Sequence, residues 1–144
     1  MNGSKVLARR IHLAVAWIFL VAILIQVFLI GLYLFAGGSL EPHRSFGYSI
    51  LFVALAVLLT ALWARVPRRD GWIAAGVLGL YIVQTSLPEF KASAPAIAAL
   101  HPVVAFLLFW LGLRVARRAR ELYAAALTGQ ASAPASQATA SQVR

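Results

Sequence analysis

Two glutamines and two histidines stand at matched spacing in a chain that is otherwise strongly apolar. Gln26 lies 17 residues before His43, and Gln84 lies 17 residues before His101. One offset relates the two pairs, since 84 − 26 and 101 − 43 both equal 58. Polar and ionisable residues are costly inside a membrane helix and usually face the interior of the bundle. A neutral imidazole is a good ligand for haem iron, and two histidines on different helices can hold it from opposite sides. His43 and His101 are therefore the candidate axial ligands of a haem b. Gln26 and Gln84 are placed to orient their rings as hydrogen-bonding partners.

A flat porphyrin needs room beside its ligands. Gly47 and Ala105 each follow a histidine by four residues, on the same helix face and one turn deeper. Phe46, Phe106 and Phe109 are candidate apolar walls, and Arg44 and Lys91 lie where haem propionates would emerge. Charge-assisted pairing with a propionate is the expected role of Arg44. Plainer roles stay open for the same residues. A histidine at a helix start often sits at the interface, His101 is followed by the helix-starting Pro102, and membrane glutamines often tie helices together for roughly 0.6–2 kcal/mol.

These residues must be positioned by helices. Four mainly apolar segments, approximately 11–36, 43–65, 71–88 and 96–115, are long enough to cross a hydrocarbon core about 30 Å thick. They show no strict alternation, so helices are expected and barrel strands are not. Short connections make consecutive helices antiparallel, giving an all-α integral membrane four-helix bundle over residues 1–122. Residues 123–144, rich in Ala, Ser and Gln, are expected to form a disordered tail.

The composition agrees: of 144 residues 62% are hydrophobic and 12% charged, with a mean hydropathy of +0.84. There is no cysteine, which excludes disulfides, thiolate metal sites and thiol nucleophiles. The net charge of +9 does not indicate nucleic acid, because the basic residues fall between apolar runs and not on a polar face. Lys5, Arg9 and Arg10, then Arg65, Arg68 and Arg69, then Arg114, Arg117, Arg118 and Arg120 follow the positive-inside pattern. Both termini are therefore expected on the cytoplasmic side of a bacterial inner membrane, with His43 and His101 towards the outer face. His12, beside Arg9 and Arg10, is expected at the inner interface. No glycine-rich phosphate loop, metalloprotease helix or serine-nucleophile motif occurs.

The offset of 58 also relates Arg10 to Arg68 and Gly47 to Ala105. Two tandem helical hairpins related by a pseudo-two-fold axis along the membrane normal would bring the histidines face to face. At about 1.5 Å per residue, Gln26 and Gln84 lie roughly 22–24 Å above the arginines that begin their helices, and His101 roughly 20 Å above Arg114. On this scale His43 is expected one or two turns nearer the outer surface than His101.

The stretches "LEPHRSFGY" and "LHPVVAF" resemble a family of small uncharacterised four-helix bacterial membrane proteins over the chain up to about residue 122. They also look like one half of haem A synthase, and like other b-type membrane cytochromes. The synthase is a duplicated four-helix bundle with histidine ligands on these helices, and a glutamate before its His-Arg pair takes part in chemistry. This resemblance implies Glu41 as a candidate catalytic acid. The spacing departs from the synthase motif, for Glu41 precedes His43 by two residues with Pro42 between, where the motif has a longer gap.

The expected function is thus a bis-histidine, haem-binding membrane protein for electron transfer or haem handling, with a quinone or membrane redox protein as partner. A homodimer is compatible with so small a bundle. The alternative is a cofactor-free helical membrane subunit or structural partner, and a small transporter comes third.

Overall fold

A computed structural model describes the backbone of residues 2–131. Helix α1 spans Asn2–Ala36, α2 Glu41–Trp63 and α3 Arg68–Ser86; a 3-10 turn, Leu87–Lys91, and a single helical turn α4, Pro95–Ala98, lead into α5, His101–Ala131. Four helical stretches, Gly3–Ala36, Glu41–Trp63, Arg68–Lys91 and Pro95–Gly129, are long and apolar enough to cross a membrane.

The helix ends have local causes. Gly37, at φ 67°, takes the left-handed conformation that ends α1, and the Gly38 N–H turns back to the Leu32 carbonyl at 3.2 Å. At the end of α2, Arg65 adopts φ 50°. The Arg65 and Val66 N–H groups close on the carbonyls of Leu62 and Ala61 at 3.1 and 3.2 Å, the two bonds of a Schellman cap. Pro67 then prevents the helix from continuing.

The expected fourth helix, 96–115, is broken near its start. Pro102 has no N–H to donate and restricts the residue before it, so the chain turns at Ala99–Leu100 and restarts as α5 at His101. At its other end α5 runs beyond residue 122 to Ala131, so the first part of the expected tail is helical. The stretch "RARELYAAAL" consists mostly of good helix formers, and Arg118 pairs with Glu121 one turn on at 2.6 Å. Residues 132–144 lie outside the described residues.

The helices form a ring in which α1 packs against α2 and α5, and α3 packs against the same two. Small and medium side chains at helical spacing face inward: Ile50, Ala54, Val57 and Ala61 from α2, and Ala74, Val77 and Tyr81 from α3. Alanines at the contacts let the backbones approach closely, as membrane helices do. Outward faces are equally apolar, with Phe35, Phe52, Phe106 and Trp72 among the exposed residues. Apolar both inside and outside, the helices suit hydrocarbon surroundings.

Burial repeats at the offset of 58. Ala16 and Ala74, Phe19 and Val77, Ile50 and Leu108, Val57 and Val115, and Ala61 and Ala119 are all buried. Side-chain pairs follow the same rule: His12 bonds Thr60, 48 residues on, and Asp70 bonds Arg118, also 48 residues on. The α1–α2 and α3–α5 hairpins thus use equivalent positions for equivalent contacts.

Arg65 carries a Cβ in a conformation that costs roughly 1–2 kcal/mol in L-residues. Arg65→Gly is expected to raise the thermal unfolding temperature in detergent, and the β-branched Arg65→Val to lower it.

Candidate functional site

Both histidines stand in the first turn of a helix that opens with a proline, α2 as Glu41-Pro42-His43 and α5 as His101-Pro102. Each faces a glutamine of the preceding long helix, His43 one on α1 and His101 one on α3. His43 Nδ1 lies 3.1 Å from the backbone carbonyl of Gln26, and His101 Nδ1 lies 3.0 Å from that of Gln84. A carbonyl oxygen only accepts, so both Nδ1 atoms carry hydrogen. In a neutral ring that leaves Nε2 as the lone-pair atom. The ring centres are 6.2 Å apart and the planes inclined at 68°.

Sequence counting placed His43 one or two turns nearer the surface than His101; here the two rings are neighbours. The yardstick was at fault. Arg114 does not mark the end of the apolar layer, for its guanidinium folds over the Trp110 ring at 4.9 Å, one turn inside the level at which Arg118 meets Asp70. The equivalent of Arg118 in the first hairpin is Thr60, and each histidine stands 17 residues before its own member of that pair.

The glutamine amides are used differently. Gln26 donates from Nε2 to the His43 carbonyl at 3.0 Å, whereas Gln84 Nε2 approaches His101 Nε2 at 3.2 Å and donates to its lone pair. Both amide oxygens, Gln26 Oε1 and Gln84 Oε1, are buried without a partner. Buried polar atoms are nearly always paired, so each of these oxygens is an unused acceptor beside the imidazoles.

Gly47 is needed for a close approach, since a Cβ there would lie 2.5 Å from Gln26 Nε2. Its missing side chain makes room for the glutamine amide, and its carbonyl accepts the Tyr81 hydroxyl at 2.7 Å. Ala105 is half-buried at the equivalent place on α5. Phe46 and Phe109 pack against the core, but Phe106 is 77% exposed and turns outward, which removes it as an inner wall. Arg44 and Lys91 are exposed at this end of the bundle. Glu41 is exposed too; its N–H is held by Ser39 Oγ at 3.1 Å, and among the described residues its carboxylate forms no ion pair.

Two features were missed in the sequence. Tyr81 is buried on the face of α3 that also carries Gln84, and its ring meets Phe19 edge-on at 6.2 Å. Its signal was helical spacing alone, because its equivalent in the repeat is Ile23. His12 was expected at the interface and is instead 4% exposed, donating from Nδ1 to Thr60 Oγ1 at 3.0 Å. The Thr60 hydroxyl gives its own hydrogen to the Ala56 carbonyl at 2.7 Å. The clue was the offset, which sets His12 against Asp70 in a second polar layer.

Gly47→Ala is expected to push the Gln26 amide off the His43 carbonyl and cost about 0.5–1.5 kcal/mol. Gly47→Ala combined with Gln26→Ala should recover part of that loss, measured by thermal unfolding in detergent.

Three comparisons with known proteins bear on this geometry. No curated protein and no solved structure matches the chain. A family model does: one described as a family of unknown function (DUF6220) matches residues 26–90. The stretch that is similar to this family begins at Gln26 and contains His43 and Gln84.

Proposed function

We propose that the protein binds one haem b between His43 and His101 and works as a membrane electron-transfer or haem-handling protein. The observation that carries this reading is the matched tethering of the two imidazoles. Each gives its Nδ1 hydrogen to a backbone carbonyl, and the ring centres stand 6.2 Å apart. Two metal–nitrogen bonds of about 2 Å, with roughly 1 Å more from each nitrogen to its ring centre, require about 6 Å. A carbonyl partner on the second nitrogen is the usual way in which a ligating histidine is held in one tautomer and orientation.

Two imidazoles are the right donor type and their ring spacing is compatible with the group, which would need one adjustment. Gln84 must swing its amide away from His101 Nε2, and its unpartnered Oε1 offers nothing to hold it back. His43 and His101 would hold the haem, which would supply one-electron transfer. Phe46 and Phe109 would keep water from the site, and Arg44 at the exposed edge would pair with a propionate. In this reading the basic end faces the cytoplasm, as do both termini, and the haem lies near the outer face. The partner is a quinone or a membrane redox protein.

A second reading has its own observation. Gln26 and Gln84 already bond to the histidine segments of α2 and α5, which suffices to tie helices in a cofactor-free subunit. Spectra separate the two. Protein expressed with ample haem precursor and purified in mild detergent is expected to show a Soret band and about one haem b per chain by the pyridine haemochrome assay. His43→Ala and His101→Ala should each abolish it, and His12→Ala should not. Gln84→Met should keep the haem. Colourless wild type, or colour that survives both ligand changes, would sink the proposal.

A further inference from the structure

Beyond the apolar layer, α1 and α5 continue side by side at the basic end. Between them lies a groove of about 150 Å³ lined by Lys5, Val6, Arg9, Ala125, Ala126 and Gly129. Arg9 is held in place, because its Nη1 donates to the Leu122 carbonyl at 2.8 Å. Its Nε is buried and has no partner. Arg9 is otherwise partly exposed, and an unpaired N–H on a cationic guanidinium calls for an acceptor, which an anionic oxygen in the groove would supply most favourably.

Among the described residues no acidic side chain supplies one. It contains four acidic residues. Glu41 and Glu89 belong to the histidine end, and the two at the basic end, Asp70 and Glu121, both pair with Arg118. Among the described residues neither Lys5 nor Arg9 forms an ion pair. The sequence after Gly129 contains no Asp or Glu.

Depth selects the occupant. Arg9 stands just before the first apolar run and Lys5 one turn farther out, so the two span about 6 Å along α1. The headgroup layer on each side of a bilayer is roughly 5–8 Å thick. Basic pockets between helices at this level take lipid headgroups. The walls are small, and a Cβ at Gly129 would meet nothing within 4 Å, which leaves space for a compact group.

We infer that this groove binds the phosphodiester of an anionic phospholipid with an uncharged headgroup alcohol, such as phosphatidylglycerol. A zwitterionic lipid would bring its own cation against Lys5 and Arg9. The inference is independent of the haem reading, since it concerns the opposite end of the bundle.

The test is thermal unfolding of the full chain in mild detergent, titrated with phosphatidylglycerol, phosphatidylcholine or inorganic phosphate. Phosphatidylglycerol should raise the unfolding temperature at concentrations about tenfold or more below those at which phosphatidylcholine acts. Inorganic phosphate should have no effect. Lys5→Gln with Arg9→Gln should abolish the preference, and Gly129→Leu, which fills the groove without changing charge, should abolish it too. Equal responses to the two lipids, or a preference that survives in Gly129→Leu, would overturn the assignment. A shift given by phosphate alone would overturn the lipid as its source.

Discussion

An imidazole N–H packed away from water must find its acceptor within the protein. His43 and His101 meet this demand alike, each through Nδ1 on the backbone carbonyl of the glutamine across the hairpin. That bond fixes the tautomer, aims the ring and sets the depth at which α2 and α5 begin. The rest of the histidine end follows from it. The absent side chain of Gly47 lets the Gln26 amide approach, since a Cβ there would lie 2.5 Å from Gln26 Nε2, and Tyr81 closes the layer beneath by bonding the Gly47 carbonyl.

The two ends of the bundle show what a repeated hairpin can keep and what it can change. At the histidine end the repeat preserves both residue types and both tethering bonds. At the basic end it preserves only positions: the first hairpin sets the neutral pair His12–Thr60, and the second sets the ion pair Asp70–Arg118. The repeat thus keeps its ring-tethering bonds in one layer and lets its side-chain pairs diverge in the other. At the basic end long cationic side chains extend from the bundle.

The four apolar helices could be read in the sequence because length and hydropathy dominate in hydrocarbon. The Gln–His pairing could be read because polar residues are rare there and any regularity stands out. Depth could not, since it was measured from arginines whose side chains reach several ångströms along the helix, and Arg114 folds back over Trp110. The break before His101 has a local cause in Pro102, which the unbroken apolar run around it masked. His12 looked interfacial beside two arginines, and its burial depends on a hydroxyl 48 residues away. Tyr81 has no equivalent tyrosine in the repeat, so nothing in the pattern separated it from ordinary core.

The proposal that two carbonyl-tethered imidazoles would hold one iron is tested most directly by electron paramagnetic resonance of the oxidised, haem-loaded protein. Ring planes inclined at 68° predict a low-spin, six-coordinate signal of strong anisotropy, lost when either histidine is replaced. A high-spin signal in the wild type, or a low-spin signal unchanged in His43→Ala or His101→Ala, would contradict the account.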